Sequence, residues 1–161
     1  MRVLNRVLPR LARIRRALSG RLFPIRELRS LRDVALFAQL MLFAACVPLL
    51  MRLPVQRVAS VIVRPPRRRR DVSPDRIARL VSLAPVVGRP LVKTGCLTRG
   101  VTLFWFLRDA GVDVELRFGV DPFSPDPDGH CWLTLDGEPY LEKVDPREHF
   151  AEVFRLPLQP R

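Results

Sequence analysis

The stretch "KTGCLTRGVTLFWFLRDAGVDVELRFGV", residues 93–120, decides the fold. Leu97, Val101, Phe104 and Leu107 recur at helical spacing and the pattern stops at Gly111, which predicts a buried helix of about four turns with Cys96 at its N-terminal edge. Strict alternation follows at once. Val112, Val114, Leu116, Phe118 and Val120 face one way and Asp113, Glu115 and Arg117 the other, the signature of a half-buried strand. Onward, "DPFSPDPDG" reads as a loop, "HCWLTL" (130–135) as a second strand, Asp136-Gly137 as a hairpin turn and "YLEKV" (140–144) as a third strand. Backward, "SPDRIARLVSLA" (73–84) starts the domain with a short helix: Ser73 is its N-cap, Pro74 its first residue, and Ile77, Leu80, Val81 and Ala84 form its apolar stripe. The order predicts an α+β fold, a cysteine-bearing helix packed on a small antiparallel sheet.

The N-terminal half is different in kind. Residues 1–70 hold 17 arginines against Glu27 and Asp33, a net charge of +15, whereas the remainder holds 11 basic and 14 acidic side chains, a net −3. Residues 2–19 place Leu, Val and Ile between arginines at the spacing of an amphipathic helix. The run "VALFAQLMLFAACVPLLM" (34–51) carries no charge, but Gln39, Pro48 and its 18-residue length weigh against a membrane span, and a buried or surface-lying helix is favoured. The chain then divides into a basic, apolar helical segment (1–63), a Pro/Arg linker (64–72) and a compact domain (73–155). Nucleic acid is an unlikely partner, because residues 1–33 offer only Phe23 among their arginines and no binding motif. Contact with a membrane surface is the other use of such charge. Cys46, Cys96 and Cys131 make an odd count without CxxC spacing, which argues against a disulfide framework or zinc site and fits a reducing cytoplasm. Neither a metal nor a cofactor is expected: Asp121, Asp126 and Asp128 lie in a proline-rich loop without a calcium-ligand series, and no phosphate-cradling glycine loop exists.

The candidate chemistry begins with Cys96. A helix N-terminus offers partial positive charge and unpaired N–H groups that favour a thiolate, and Thr94-Gly95 precedes it. A small core cysteine is the competing reading. His130 opens a strand, so His130, Trp132 and Thr134 share one face and Cys131 and Leu133 the other, which makes Cys131 a core residue and His130 the partner for the Cys96 thiolate. A third group should orient the imidazole. A four-residue loop 136–139 sets Asp145 opposite His130, whereas a three-residue loop brings Glu142 to the diagonal position, and both stay open. His149 has no evident partner in the sequence.

These blocks, "GCLTRGVTLFWFLRDAGVDVELRFGV" and "GHCWLTLDGEPYLE", resemble the transglutaminase-like core of lasso-peptide biosynthesis B proteins. The shared pattern is Cys-Leu-x-Arg opening a helix, "LRxAG" closing it, a strand ending in "GV", and His-x-Trp opening the next. The resemblance covers about residues 73–150, and "DVALFAQLMLFAACVPLLMRLPVQRVASVI" is similar to the apolar helical segment that precedes the core in that family. It implies a papain-like cysteine peptidase that removes the leader from a ribosomally made precursor, with Cys96 as nucleophile and His130 as general base and acid. The third residue falls near Glu142 by spacing, while "VDPR" around Asp145 resembles the Asp-Pro of broader transglutaminase-like proteins. Implied partners are the precursor peptide, a small leader-binding protein and an ATP-dependent cyclase. The Arg-rich N-terminus and Cys131, where the family usually has Ala, depart from the pattern. Two other functions remain open: transfer of the acyl group to an amine instead of water, and a non-enzymatic role as a membrane-surface binding protein.

Overall fold

The computed structural model describes residues 30–63, 65, 72–87, 95–125 and 128–157. The amphipathic helix expected at 2–19 and most of the expected linker lie outside them. In chain order the elements are helices α1 (Leu31–Leu50), α2 (Val55–Ile62), α3 (Pro74–Val87) and α4 (Cys96–Asp109), then strands β1 (Val114–Val120), β2 (Gly129–Leu135) and β3 (Glu138–Tyr140), a 3-10 turn (Pro146–Glu148), and β4 (Ala151–Leu156). The fold is α+β, with α4 between the sheet on one side and α1 and α3 on the other.

Local chemistry accounts for the element ends. Ser30 caps α1, its Oγ accepting from the Asp33 N–H at 3.1 Å. Asp33, in that first turn, also pairs with Arg76 at 3.0 Å, which ties α1 to α3 and holds the Asp33 carboxyl below its ordinary range. Ser73 caps α3 through the Arg76 N–H at 3.3 Å, as its position implied. Gly111, at φ 91°, ends the helical path after α4. Arg108, in the last turn of α4, is buried but satisfied: it donates to the Val114 carbonyl at 3.0 Å, pairs with Asp113 and lies over the Phe104 ring.

The sheet is antiparallel throughout, in the order β3-β2-β1-β4. The alternation predicted for β1 holds at its start, where Val114 and Leu116 are buried with Cys131, Leu133 and Leu156 in the core shared with Phe104 and Leu107 of α4, and fails past Phe118, where Gly119 is buried and Val120 exposed. A bulge between Phe118 and Gly119 shifts the pairing with β4, so that Phe118 opposes Phe154 while Gly119 opposes Glu152. Gly119 leaves room for Trp132, since a Cβ there would come within 2.8 Å of the indole.

Three expectations need correction. The hairpin loop has two residues, Asp136 (φ 52°) and Gly137 (φ 85°), both left-handed as a type I′ turn requires, so neither the three- nor the four-residue register holds. The third strand is Glu138–Tyr140 rather than 140–144, because Leu141 turns into the left-handed region at φ 62° and breaks the alternation. A fourth strand, Ala151–Leu156, completes the sheet beside β1.

On either side of the expected linker one core is shared: Leu36, Phe37, Leu40 and Val47 of α1 and Val58 and Ile62 of α2 are buried with Ile77 and Leu80 of α3. Phe43 stacks on Trp105 at 5.1 Å between centroids and meets Phe106 edge-on at 5.8 Å. By length and mean hydropathy (2.0), α1 is sufficient to cross a bilayer, yet its inner face is buried in the domain and Leu31, Leu42 and Leu49 of its outer face are exposed.

Candidate active site

Cys96 is the first residue of α4, and Gly95 stands before it as an extended N-cap (φ −139°, ψ 165°) with no side chain to accept from the first-turn N–H groups. The positive end of the helix is thus left for the thiol. The half-buried Cys96 Sγ lies 3.8 Å from the Gly129 carbonyl at the start of β2. Its pKa is lowered to about 5, chiefly through hydrogen bonding from the neighbouring Cys131 thiol, with the Cys131 backbone N–H and the His130 imidazole adding to it against the opposing effect of burial. Conversely, the Cys131 thiol is pushed far up by the Cys96 sulfur beside it and by its own burial. Cys131 is a core residue, as strand alternation predicted, but it also forms part of the wall around Cys96.

His130 shares a face of β2 with Trp132. The two rings are nearly parallel (13°) at 6.2 Å, and Phe150 flanks the imidazole at 5.1 Å. Trp132 and Thr134 on that face are buried, beneath a network in which Arg117 donates to Thr134 and pairs with Glu115 and Glu152. The face shared by His130, Trp132 and Thr134 is therefore a covered one, on which only His130, at the open end of the strand, retains partial exposure.

The structure brings Glu142, not Asp145, to the imidazole. Glu142 Oε2 lies 3.9 Å from His130 Nε2, an ion-pair distance longer than a hydrogen bond. The left-handed turn at Leu141 carries this acid to His130, where strand pairing alone would continue the alternation past it. Its other oxygen accepts from Arg99 Nη1 at 2.8 Å, while Arg99 Nη2 donates to the Leu141 carbonyl at 2.9 Å. One guanidinium from α4 thus holds both the acid and the turn that delivers it. Asp145 instead caps the 3-10 turn through the Arg147 N–H at 2.9 Å and chelates the Arg147 guanidinium, which holds its carboxyl below the ordinary range.

A cavity of about 500 Å³ opens on the imidazole–carboxylate side, lined by Arg99, His130, Glu142, Asp145, His149 and Phe150. Cys96 does not line it. The groups that sequence reasoning missed are the Arg99 clamp and the Phe150 flank. Arg99 stands three residues after Cys96, on the helix turn that an acid near His130 would have to meet; for Phe150 the sequence holds no comparable signal.

The sequence profile of the transglutaminase-like superfamily matches residues 39–155, from the second half of α1 through β4. No curated protein and no solved structure matches the chain.

Proposed function

Because this chain belongs to the transglutaminase-like superfamily, whose fold is that of cysteine proteases and acyltransferases, we propose that it is a cysteine peptidase acting through Cys96, His130 and Glu142. The observation that carries this reading is a thiol lowered to about 5, in part by the His130 imidazole, together with a carboxylate 3.9 Å from that imidazole and held by Arg99. The Cys96 thiolate attacks a peptide carbonyl and forms the C–S bond. The imidazolium of His130 gives its proton to the departing amine as the C–N bond breaks. His130 then takes a proton from water, whose oxygen forms the C–O bond as the C–S bond breaks, releasing the acid and restoring the Cys96 thiolate beside a protonated His130. With Nε2 toward Glu142, Nδ1 is the nitrogen left to serve Cys96. Uncapped N–H groups at the start of α4 stabilise the oxyanion. Glu142, and not Asp145, is the orienting acid in this reading.

The substrate proposed from the resemblance is the leader of a ribosomally made precursor peptide, in the cytoplasm, delivered by a leader-binding protein and followed by an ATP-dependent lasso cyclase. The exposed apolar face of α1, flanked by Arg32 and Arg52 and preceded by the arginine-rich residues 1–29, supports attachment to a membrane surface, released by a salt wash if it is electrostatic. The test of the catalytic reading is iodoacetamide labelling near neutral pH. Cys96 should react much faster than Cys46 and Cys131, and His130→Ala should remove most of that excess. Equal, slow labelling of all three in wild type would end the peptidase reading.

A further inference from the structure

Cys131 is a second thiol at the site, to and from which the steps of peptide hydrolysis transfer nothing. It is buried, directly follows His130, and projects from the opposite face of β2 into the contact with α4. Two contacts fix the alignment of strand and helix there. The Cys96 Sγ rests against the Gly129 carbonyl at 3.8 Å, and a Cβ on Gly100 would lie 2.9 Å from the Cys131 Sγ. Cys96 and Gly100 are one helical turn apart on the same face of α4, and Gly129 and Cys131 are two residues apart on the same face of β2. A rise of about 6 Å along each element keeps these two contacts in step. Only a glycine at position 100 lets the Cys131 sulfur lie this close to the helix, beside the turn that carries Cys96.

From this alignment we infer that Cys131 is the resolving thiol for Cys96: on exposure to a peroxide the two close a reversible disulfide that blocks the nucleophile. The inference rests on Cys96 being the reactive thiol of the proposed function. In the first step the Cys96 thiolate attacks one oxygen of hydrogen peroxide, the O–O bond breaks, and hydroxide leaves and is protonated to water, giving Cys96 sulfenic acid. In the second, the Cys131 sulfur attacks the Cys96 sulfur, the S–O bond breaks, and the departing hydroxide combines with the Cys131 thiol proton as a second water. Each sulfur loses one electron and the peroxide gains two. Oxidation of Cys96 also removes the anionic sulfur that raises the Cys131 thiol most, so the buried thiol becomes easier to deprotonate once it is needed. Cys131 needs no solvent access, because the oxidant meets only the half-exposed Cys96. Without the second cysteine, a sulfenic acid at a reactive cysteine proceeds to sulfinic acid, which dithiols do not reverse.

The test uses the full chain treated with a few equivalents of hydrogen peroxide, alkylated, and mapped by mass spectrometry of a non-reduced digest, for wild type, Cys131→Ala, Cys131→Ser and Cys46→Ala. The expected result is a peptide pair joined through Cys96 and Cys131 in wild type and Cys46→Ala, with labelling of Cys96 restored more than tenfold by dithiothreitol. In both Cys131 variants Cys96 should end as sulfinic acid that dithiothreitol does not restore. Sulfinic acid at Cys96 at equal rates in wild type and the Cys131 variants, without a joined peptide, would overturn the inference, as would joining through Cys46. The readout is thiol chemistry, so a protein that closes the disulfide yet cleaves no precursor peptide would refute the proposed substrate and leave the inference standing.

Discussion

Helices α1 and α4 lie against each other, and their hydropathy ranks them in the wrong order. α1 is the more apolar, yet it leaves Leu31, Val34, Leu42 and Leu49 exposed; α4 carries Thr98, Thr102 and Arg108, and all three are buried. Burial follows position in the layers. α4 is enclosed by the sheet and by α1 and α3, so its polar groups must be satisfied inside: Thr102 bonds back to the Thr98 carbonyl at 2.7 Å, and Arg108 finds Asp113 and the Val114 carbonyl. Among the described residues, α1 closes the core from outside and leaves its other flank exposed. Enclosure gives α4 the rigid N-terminus on which a nucleophile can be held, whereas the surface of α1 is suited to contact with something else.

The largest test of this contrast is chemical. Cys96→Ala should lower the proposed peptidase activity by about a thousandfold or more, read as kcat/KM on a peptide substrate, while Cys46→Ala on the outer flank of α1 should change it less than twofold. Comparable losses would place the chemistry elsewhere. Next comes stability. Phe104→Ala, at a fully buried position of α4, should cost about 3–5 kcal/mol by urea denaturation, and Leu42→Ser, 70% exposed on α1, no more than about 0.5 kcal/mol. A large cost at Leu42 would mean that the outer face is covered in the isolated protein.

The third test concerns pH. The folded Cys96 titrates at about 5 and an unfolded thiol near about 8.5, so between these values the unfolded chain binds more protons and stability rises with pH. The contribution is complete above the unfolded value and lost as pH falls through about 5. The urea midpoint of wild type should therefore gain on that of Cys96→Ala between pH 5.5 and 8.5, with Cys46→Ala as the control. Parallel midpoints across that range would remove the thiolate from the ground state.

Much of this was legible because periodicity is local. The stripe of α4, the first half of the alternation of β1, the caps Ser73 and Gly111 and the Asp136-Gly137 turn each depend on residues within a few positions, and the same local signals single out Cys96 and His130 as candidates. What failed depends on distant partners or on backbone handedness. The choice between Glu142 and Asp145 hung on strand register, but a left-handed Leu141 delivers the acid, and nothing in a leucine announces that conformation. β4 was unread because its pairing with β1 bridges a long connection and bends at a bulge. The clamp joins Arg99 to Glu142 across 43 positions, beyond any spacing rule.

Leu141 also sets a trade between endurance and activity. A leucine in the left-handed region costs on the order of 1 kcal/mol that a glycine would not incur. Leu141→Gly should thus raise the melting temperature by a few degrees unless lost packing offsets it, while the freed turn lets Glu142 wander and lowers kcat/KM. In the proposed reading, the left-handed turn at Leu141 is the cost of holding Glu142 beside the imidazole. Selection for heat tolerance alone would tend to erase the leucine, and selection for turnover would restore it.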